Sequence, residues 1–311
     1  MTKRFDVIAV GELNPDLILT GIKTSAPVLG TEHEFSDMTL TLGSSTAICC
    51  VLMQRLGLAT AMAAKVGDDD HGAFCKSVLK QEGVDQTGII TDAAVQTGVT
   101  VSLAYPEDRL LLTRYGAMAA FGLADIDLGA LTQARHLHLG SFFLQERLQP
   151  DLPELFRHAH DAGMTTSLDL GWDPSEKWDT EILREMLPYV SVILPNRVEL
   201  SGITGIAEVE PALTRLHEMG ANEIALKNGS KGSLASINGN ITRAASLPIT
   251  PLDTTGAGDA FNAGYITARL EGKDTPERLK LGNACGALTA SKMGGTGGFT
   301  TRQEVHDFLK A

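Results

Sequence analysis

The sequence predicts an α/β fold: a doubly wound, mostly parallel sheet flanked by helices, carrying a small β lid. Three observations predict it. Short β-branched or apolar runs recur along the chain and helical patterns separate many of them, the alternation that builds parallel sheets. Two segments, about 13–42 and 95–116, break the alternation with strand-like stretches joined by turn residues. No repeat, low-complexity tract or long linker divides the chain, so residues 1–311 read as a single domain with those two segments as its lid.

The first strand is read at 6–11, "DVIAVG". Two basic residues precede it, but Asp6 interrupts the run and no small-residue cleavage site follows, so it is not read as a signal peptide. Within the first lid segment, "LILTG" and "MTLTLG" read as antiparallel strands. A helix is expected over Ser45–Leu56, with Ser44 or Ser45 as N-cap and Gly57 just past its end. Residues 59–67, "ATAMAAKVG", form the next strand, and 72–82 a helix. The second lid segment contributes "TGVTVSLAY" and "RLLLTRYG". Strands then follow at 134–140, 165–170, 190–196 and 222–229, with helices near 151–162, 180–187 and 208–219. "LKNGSKGSL" (226–234) is a turn between two strand-like runs. Helices close the chain at 260–270, 276–291 and 302–310. Thr275 with Pro276 reads as N-cap and first helical residue, and Thr301 with Glu304 as a capping box.

Composition limits the function. The net charge of −12 repels phosphate backbones, which excludes nucleic acid as a natural partner. No window approaches eighteen unbroken apolar residues, so no membrane span is expected. Cys49, Cys50, Cys75 and Cys285 include no C-x-x-C pair, which argues against a disulfide framework or zinc site and fits a reducing cytoplasm. His136 with His138 share a strand face, and His158 with His160 point apart on a helix. Neither pair has a third ligand at metal-binding spacing.

The chemistry concentrates in "LDTTGAGDAF" (252–261). Gly256, Ala257 and Gly258 lead into a helix whose first N–H groups lack partners and whose dipole is positive there. Glycines let the backbone approach an anion. Asp259 then stands where a carboxylate could accept a hydroxyl proton while the amides stabilise a transferring phosphoryl group. The rival reading is a tight turn followed by a favourable first-turn acid. The stretch is neither G-x-x-x-x-G-K-[ST] nor G-x-G-x-x-G. Upstream, Asn196 and Glu199 in "ILPNRVEL" share one face of a helix start at the carboxyl end of a strand. They could hold water around Mg2+, or Asn196 could simply cap the helix.

Together these stretches resemble the ribokinase-like, or PfkB, family of carbohydrate kinases. "DTTGAGDAF" resembles its C-terminal signature and "LGSSTAICCVLMQRLG" its N-terminal one. "VGELNPDLIL", "KVGDDDHG", "PNRVEL", "KNGSKGSL" and "GNACGALTASKMGG" match further landmarks in order along nearly the full chain. The resemblance implies an ATP-dependent sugar kinase with about nine strands in its main sheet. It implies Asp259 as general base, with Gly256, Ala257 and Gly258 as anion hole. Asn196 and Glu199 would serve Mg2+ and phosphate, Glu199 through water. Lys227, Gly229, Gly232 and Asn283 would border the nucleotide. Asn14 and Asp16 would bind substrate hydroxyls. A monovalent cation such as K+ is implied near Asp253 and Thr255.

Two departures bear on the acceptor. The family's N-terminal Gly-Gly and later Asn are here Gly43, Ser44 and Ile48, with Ser44 and Ser45 left to replace part of the sugar contact. The family's central Asp-Pro-Asn-x-Arg pattern is replaced by "LDLGWDPSEKW", which places Asp169, Trp172 and Asp173 as candidates to face substrate. "SFFLQER" (141–147) is expected to line the same cleft, and Arg109 and Arg114 could favour an anionic acceptor or simply form a solvated hairpin. Alternatives are a nucleoside kinase of the same family, disfavoured by 5% aromatic content, and a non-catalytic nucleotide- or sugar-binding protein on this fold. Dinucleotide-dependent reductases lack their fingerprint. The exposed strand edges of the lid predict a homodimer.

Overall fold

A computed structural model describes residues 3–105 and 109–310. Three residues of the second lid segment, 106–108, and positions 1, 2 and 311 lie outside the described residues. In chain order the strands are β1 (Phe5–Val10), β2 (Pro15–Thr20), β3 (Asp37–Leu42), β4 (Thr60–Gly67), β5 (Asp85–Asp92), β6 (Val99–Ala104) and β7 (Arg109–Arg114). They continue with β8 (Ala134–Leu139), β9 (Thr165–Leu168), β10 (Val192–Ile193), β11 (Glu223–Lys227), β12 (Ser233–Ile237) and β13 (Asn240–Ala244). The helices are α1 (Ser45–Arg55), α2 (Asp70–Gln81), α3 (Leu128–Leu131), α4 (Leu152–Asp161), α5 (Glu181–Met186), α6 (Arg197–Thr204), α7 (Val209–Glu218), α8 (Ala257–Leu270), α9 (Thr275–Ala290) and α10 (Arg302–Phe308).

Nine strands form one sheet in the order β13-β12-β11-β10-β9-β8-β1-β4-β5. All pairs are parallel except β11–β12 and β12–β13. The sheet is apolar on both faces because helices cover both. Ile8, Val10, Leu137, Leu139, Ile193 and Ile224 pack under α4–α7. Their neighbours in the pleat, Val7, Val192 and Leu194, pack under α1, α8 and α9. No helix among the described residues is long and apolar enough to cross a membrane.

The two interrupting segments supply a separate four-stranded sheet, β3-β2-β6-β7. Its pairing corrects the expectation of antiparallel strands throughout: β2 and β6 run parallel, in register from Asp16↔Thr100 to Leu19↔Leu103. Strands about eighty residues apart in sequence cannot signal their relative direction locally. Two further strands, β5 and β13, escape the sequence reading. Asp85 and Asp92 at the ends of β5, and the polar residues of β13, hide the pattern.

Helix ends are mostly as read, with instructive exceptions. Asp274, not Thr275, caps α9 by accepting from the Glu277 amide at 3.0 Å. Thr301 caps α10, but Glu304 reaches the Thr300 amide rather than that of Thr301, so the capping box is half formed. Ser44 occupies the N-cap position of α1 without capping it. Its hydroxyl instead accepts from the Asn14 amide and donates to Asn14 Oδ1, both at 2.8 Å. Glu12 takes over, accepting from the Thr46 amide of the first turn at 3.2 Å. His136 and His138 are buried between β8 and β9 on Ser167, a hydrogen-bonded core pair.

Candidate active site

The loop before α8 is shaped by one carboxylate and one glycine. Asp253 accepts from the Thr255 amide with one oxygen and from the Gly294 amide with the other, each at 2.9 Å. Burial pushes this carboxyl up, but the Thr255 and Gly294 bonds outweigh it and hold it below its ordinary range. Gly256 then turns the chain with φ +72°, and a Cβ there would lie 2.5 Å from Gly295 Cα. Both the dihedral and the clearance require glycine. Ala257 already donates its amide to Thr254 O at 3.2 Å. Among the described residues, the Gly256, Gly258 and Asp259 amides have no backbone acceptor, so of the three expected donors Ala257 alone is engaged, and Asp259 adds one of its own.

Asp259 lies at the base of a cleft of about 530 Å3. Burial raises its carboxyl from 3.8 to about 7, with Asp169 adding to the effect and Lys227 opposing it. The same cleft collects Asn14, Asp16, Ser44, Ser45, Asn196, Glu199, Lys227, Gly229, Thr255, Gly256 and Gly258. The small sheet supplies part of its wall through Asp16, Ile18, Thr100, Ser102, Arg109 and Thr113. Burial lifts Asp16 to about 6 against the pull of Arg109. Gly43 lines neither this cleft nor its neighbour. Its role is clearance, since any Cβ there would run into the Asp16 carboxylate. Ser141 and Leu144 of "SFFLQER" line the cleft, whereas Phe142 is buried behind it. Ile48 lines it too, as an apolar contact.

A second cleft, of about 520 Å3, opens on the other side of the same loop. Lys227, Gly229, Gly232, Ala257, Gly258 and Asn283 line it, as does an apolar run from Leu247 to Pro251 that the sequence pattern does not reveal. Asn283 donates to Ala245 O at 2.9 Å and so pins that run to α9. The two clefts share Lys227, Gly229 and Gly258. They meet one residue before Asp259.

Lys227, at the end of β11, is the electrostatic centre. It pairs with Asp169 at 2.5 Å, and Asn262 of α8 donates to the same carboxylate oxygen. Burial would lower the Lys227 ammonium, but Asp169 and Glu199 outweigh burial and raise it. Burial likewise opposes ionisation of Asp169, and Lys227 and Asn262 overcome it. Glu199 is only 5% exposed, and burial pushes it up to about 8 even with Lys227 near. Asn196 and Glu199 do form a capping box. Asn196 Oδ1 accepts from the Val198 and Glu199 amides, and Glu199 accepts from the Asn196 amide at 2.8 Å. Capping and cleft lining are thus one arrangement rather than rival readings.

The sequence reading misses two residues here. Glu12, 3% exposed, accepts from Thr46, Ser141 and Gln145 at 2.7–2.8 Å and borders the larger cleft. Asn262, at 0% exposed, has no local signal beyond its place one turn after Asp259.

Residues 4–302 match the model of the pfkB family of carbohydrate kinases. The chain belongs to that family. It is therefore a phosphotransferase with an alcohol group as acceptor, and its main sheet of nine strands has the extent the resemblance implies. It is 26% identical to a ribokinase of Haemophilus influenzae, covering 99% of each chain. It is 29% identical to an ATP-dependent ribose-1-phosphate kinase of Halopiger xanaduensis, covering 93% of each. A protein from E. coli assigned as ribokinase II, solved in complex with ATP and Mg2+, superposes with a TM-score of 0.86 at 22% identity, over 98% of this chain and 99% of that one.

Proposed function

We propose that this kinase transfers the γ-phosphate of ATP to a hydroxyl of a sugar or related polyol, with Asp259 as general base. One observation carries the reading: two clefts of similar size meet at Gly258, beside a carboxylate whose affinity for a proton is tuned to about pH 7. A base matched to neutral pH takes a proton most effectively there. The cleft lined by Asn283 and the 247–251 run takes the nucleotide, and the cleft lined by Asn14 and Asp16 takes the acceptor. Asp259 accepts the hydroxyl proton as the oxygen attacks. The Gly258 and Asp259 amides, at the positive end of α8, balance charge on the group in transit, and Lys227 adds a fixed positive charge.

Mg2+ fits the donor set. Asp169, Glu199 and Asp259 line the acceptor cleft with Lys227, an excess of acid over base that a hard cation would offset. Among the described residues no three such ligands are close enough to form a cage. That suits an ion which keeps several waters and takes one or two carboxylates. Glu199, with Asn196, would hold it, and it would supply charge neutralisation. K+ would sit near Asp253 and Thr255, where each Asp253 oxygen accepts one amide and keeps a lone pair for a cation.

The test is ADP release across a panel of sugars, sugar acids, sugar phosphates and nucleosides. Turnover of a sugar is expected. ATP binding without turnover of any panel member would refute a sugar or related polyol as acceptor, and turnover of nucleosides alone would make it a nucleoside kinase.

A further inference from the structure

The chain contains two tryptophans, six residues apart, in the "GWDPSEKW" stretch where its sequence departs from the family pattern. Trp178 is half-buried. Trp172 is 52% exposed and lines the acceptor cleft. Leaving an indole open to water forgoes a large burial gain, so an exposed one facing a cleft calls for an explanation.

The loop that presents it is strained and firmly held. Gly171 has φ +65°, and two non-glycine residues, Glu176 and Trp178, have φ +55° and +52°. Such backbone persists only where the surroundings over-determine it, and it clusters at ligand sites. Here Asp173, 4% exposed, does the holding. Its carboxylate accepts from the Ser175 amide at 2.9 Å, the Ser175 hydroxyl at 2.8 Å and the Trp178 amide at 2.6 Å. Trp178 stands edge-to-face between Phe143, at 5.3 Å, and Trp172, at 5.4 Å. It also rests on Gly202 of α6, where any Cβ would enter its ring. At the loop's start the Gly171 amide donates to Asp169 at 3.0 Å. The exposed indole is therefore braced by the helix that carries Glu199 and tied to the carboxylate that holds Lys227.

The rest of the cleft is divided by chemistry. Asn14, Asp16, Thr100 and Ser102 offer hydrogen bonds, while Trp172, Leu144 and Met118 offer apolar surface. Resting on the kinase reading above, we propose that Trp172 is the specificity-determining platform for the acceptor. Its indole face receives the apolar face of a ring whose hydroxyls the polar groups bind. The acceptor is thus a ring compound rather than an open-chain polyol. Two sources offer that face: the C–H side of a pyranose or furanose, and the base of a nucleoside.

The experiment measures acceptor KM, kcat and ATP KM for wild type, Trp172→Ala and Trp172→Phe on cyclic sugars, open-chain polyols and ribonucleosides. Trp172→Ala is expected to raise acceptor KM about tenfold or more, with much smaller changes in kcat and ATP KM, and Trp172→Phe to recover most of the loss. The arm that turns over and shows the rise identifies the ring. In a Trp178→Phe background, where Trp172 is the remaining tryptophan, adding that acceptor without ATP is expected to change the fluorescence. Wild type inactive on the whole panel refutes the kinase reading and this inference with it. Active wild type with unchanged acceptor KM in Trp172→Ala, an unresponsive Trp172 signal, or turnover confined to open-chain polyols refutes the platform alone.

Discussion

Replacing Asp259 by Asn tests the base and its environment together. The substitution preserves shape and removes the proton acceptor. General-base catalysis contributes roughly 10²–10⁴-fold, so kcat is expected to fall by at least a hundredfold while ATP affinity changes little. The stability effect has a definite sign. In the folded protein burial raises the Asp259 carboxyl to about 7 from 3.8. Between those values the folded state binds the extra proton, so its stability falls as pH rises through the window. At about 1.4 kcal/mol per pH unit, the ceiling on this loss is about 4 kcal/mol, less whatever solvent in the cleft screens. A neutral amide in its place escapes the loss. The variant should therefore gain melting temperature relative to wild type at pH 8 and not at pH 4. Wild-type kcat/KM should decline below about pH 7 as the base is protonated. Coupled ADP assays, calorimetry with ATP, and thermal melts at the two pH values make the comparison. Turnover within threefold of wild type would dismiss Asp259 as the base. Equal melting shifts at both pH values would dismiss burial as the cause of its tuning.

Three further outcomes follow from neighbouring contacts. Lys227→Met leaves Asp169 a buried carboxylate without its cation, a loss typically about 3–5 kcal/mol, so a melting temperature lower by several degrees and weaker ATP binding are expected; unchanged ATP affinity by calorimetry would contradict the central place given to Lys227. Gly256→Ala should lower kcat by a hundredfold or more, whereas Gly272→Ala, also at positive φ but with open space around it and outside the clefts, should lower only the melting temperature; equal kinetic effects would contradict the loop geometry. We also propose a homodimer through the back of the small sheet, where register places Leu17, Leu19, Met38, Leu40, Val101, Leu103, Leu110 and Leu112 on one face, with Met38, Leu40, Leu110 and Leu112 exposed. Leu112→Asp should dissociate it in sedimentation, and a wild type already monomeric at micromolar concentration would exclude it.

What the sequence makes legible depends on how far apart the cooperating residues stand. The Asn196–Glu199 capping box completes its geometry within four residues and is legible as such, whereas the Gly256–Asp259 turn is marked by its glycines but held by Gly294 and Gly295, about forty residues on. The Glu12 hub draws on partners 34, 129 and 133 residues away. Asp169 meets Lys227 and Asn262 across 58 and 93 residues. Nothing local marks Glu12 as more than a charged residue after a strand or names the partners of Asp169, and the parallel order of β1, β8, β9 and β11 brings these acids to one edge of the sheet.

The α1 N-terminus shows how such distant contacts override a local rule. Ser44 is a good N-cap by propensity. Yet Asn14 engages its hydroxyl, and the vacated capping task falls to Glu12, a full negative charge at the positive end of the helix. The exchange places Ser44, Asn14 and Glu12 together on the cleft wall, whereas capping by Ser44 would have turned its hydroxyl back into its own helix. Ile48, the departure that argues most strongly against the usual acceptor contacts, lies on the same helix one turn on. On this side of the cleft the polar groups come from the loop after β1, the small sheet and the start of α1, and Ile48 adds apolar surface beside them.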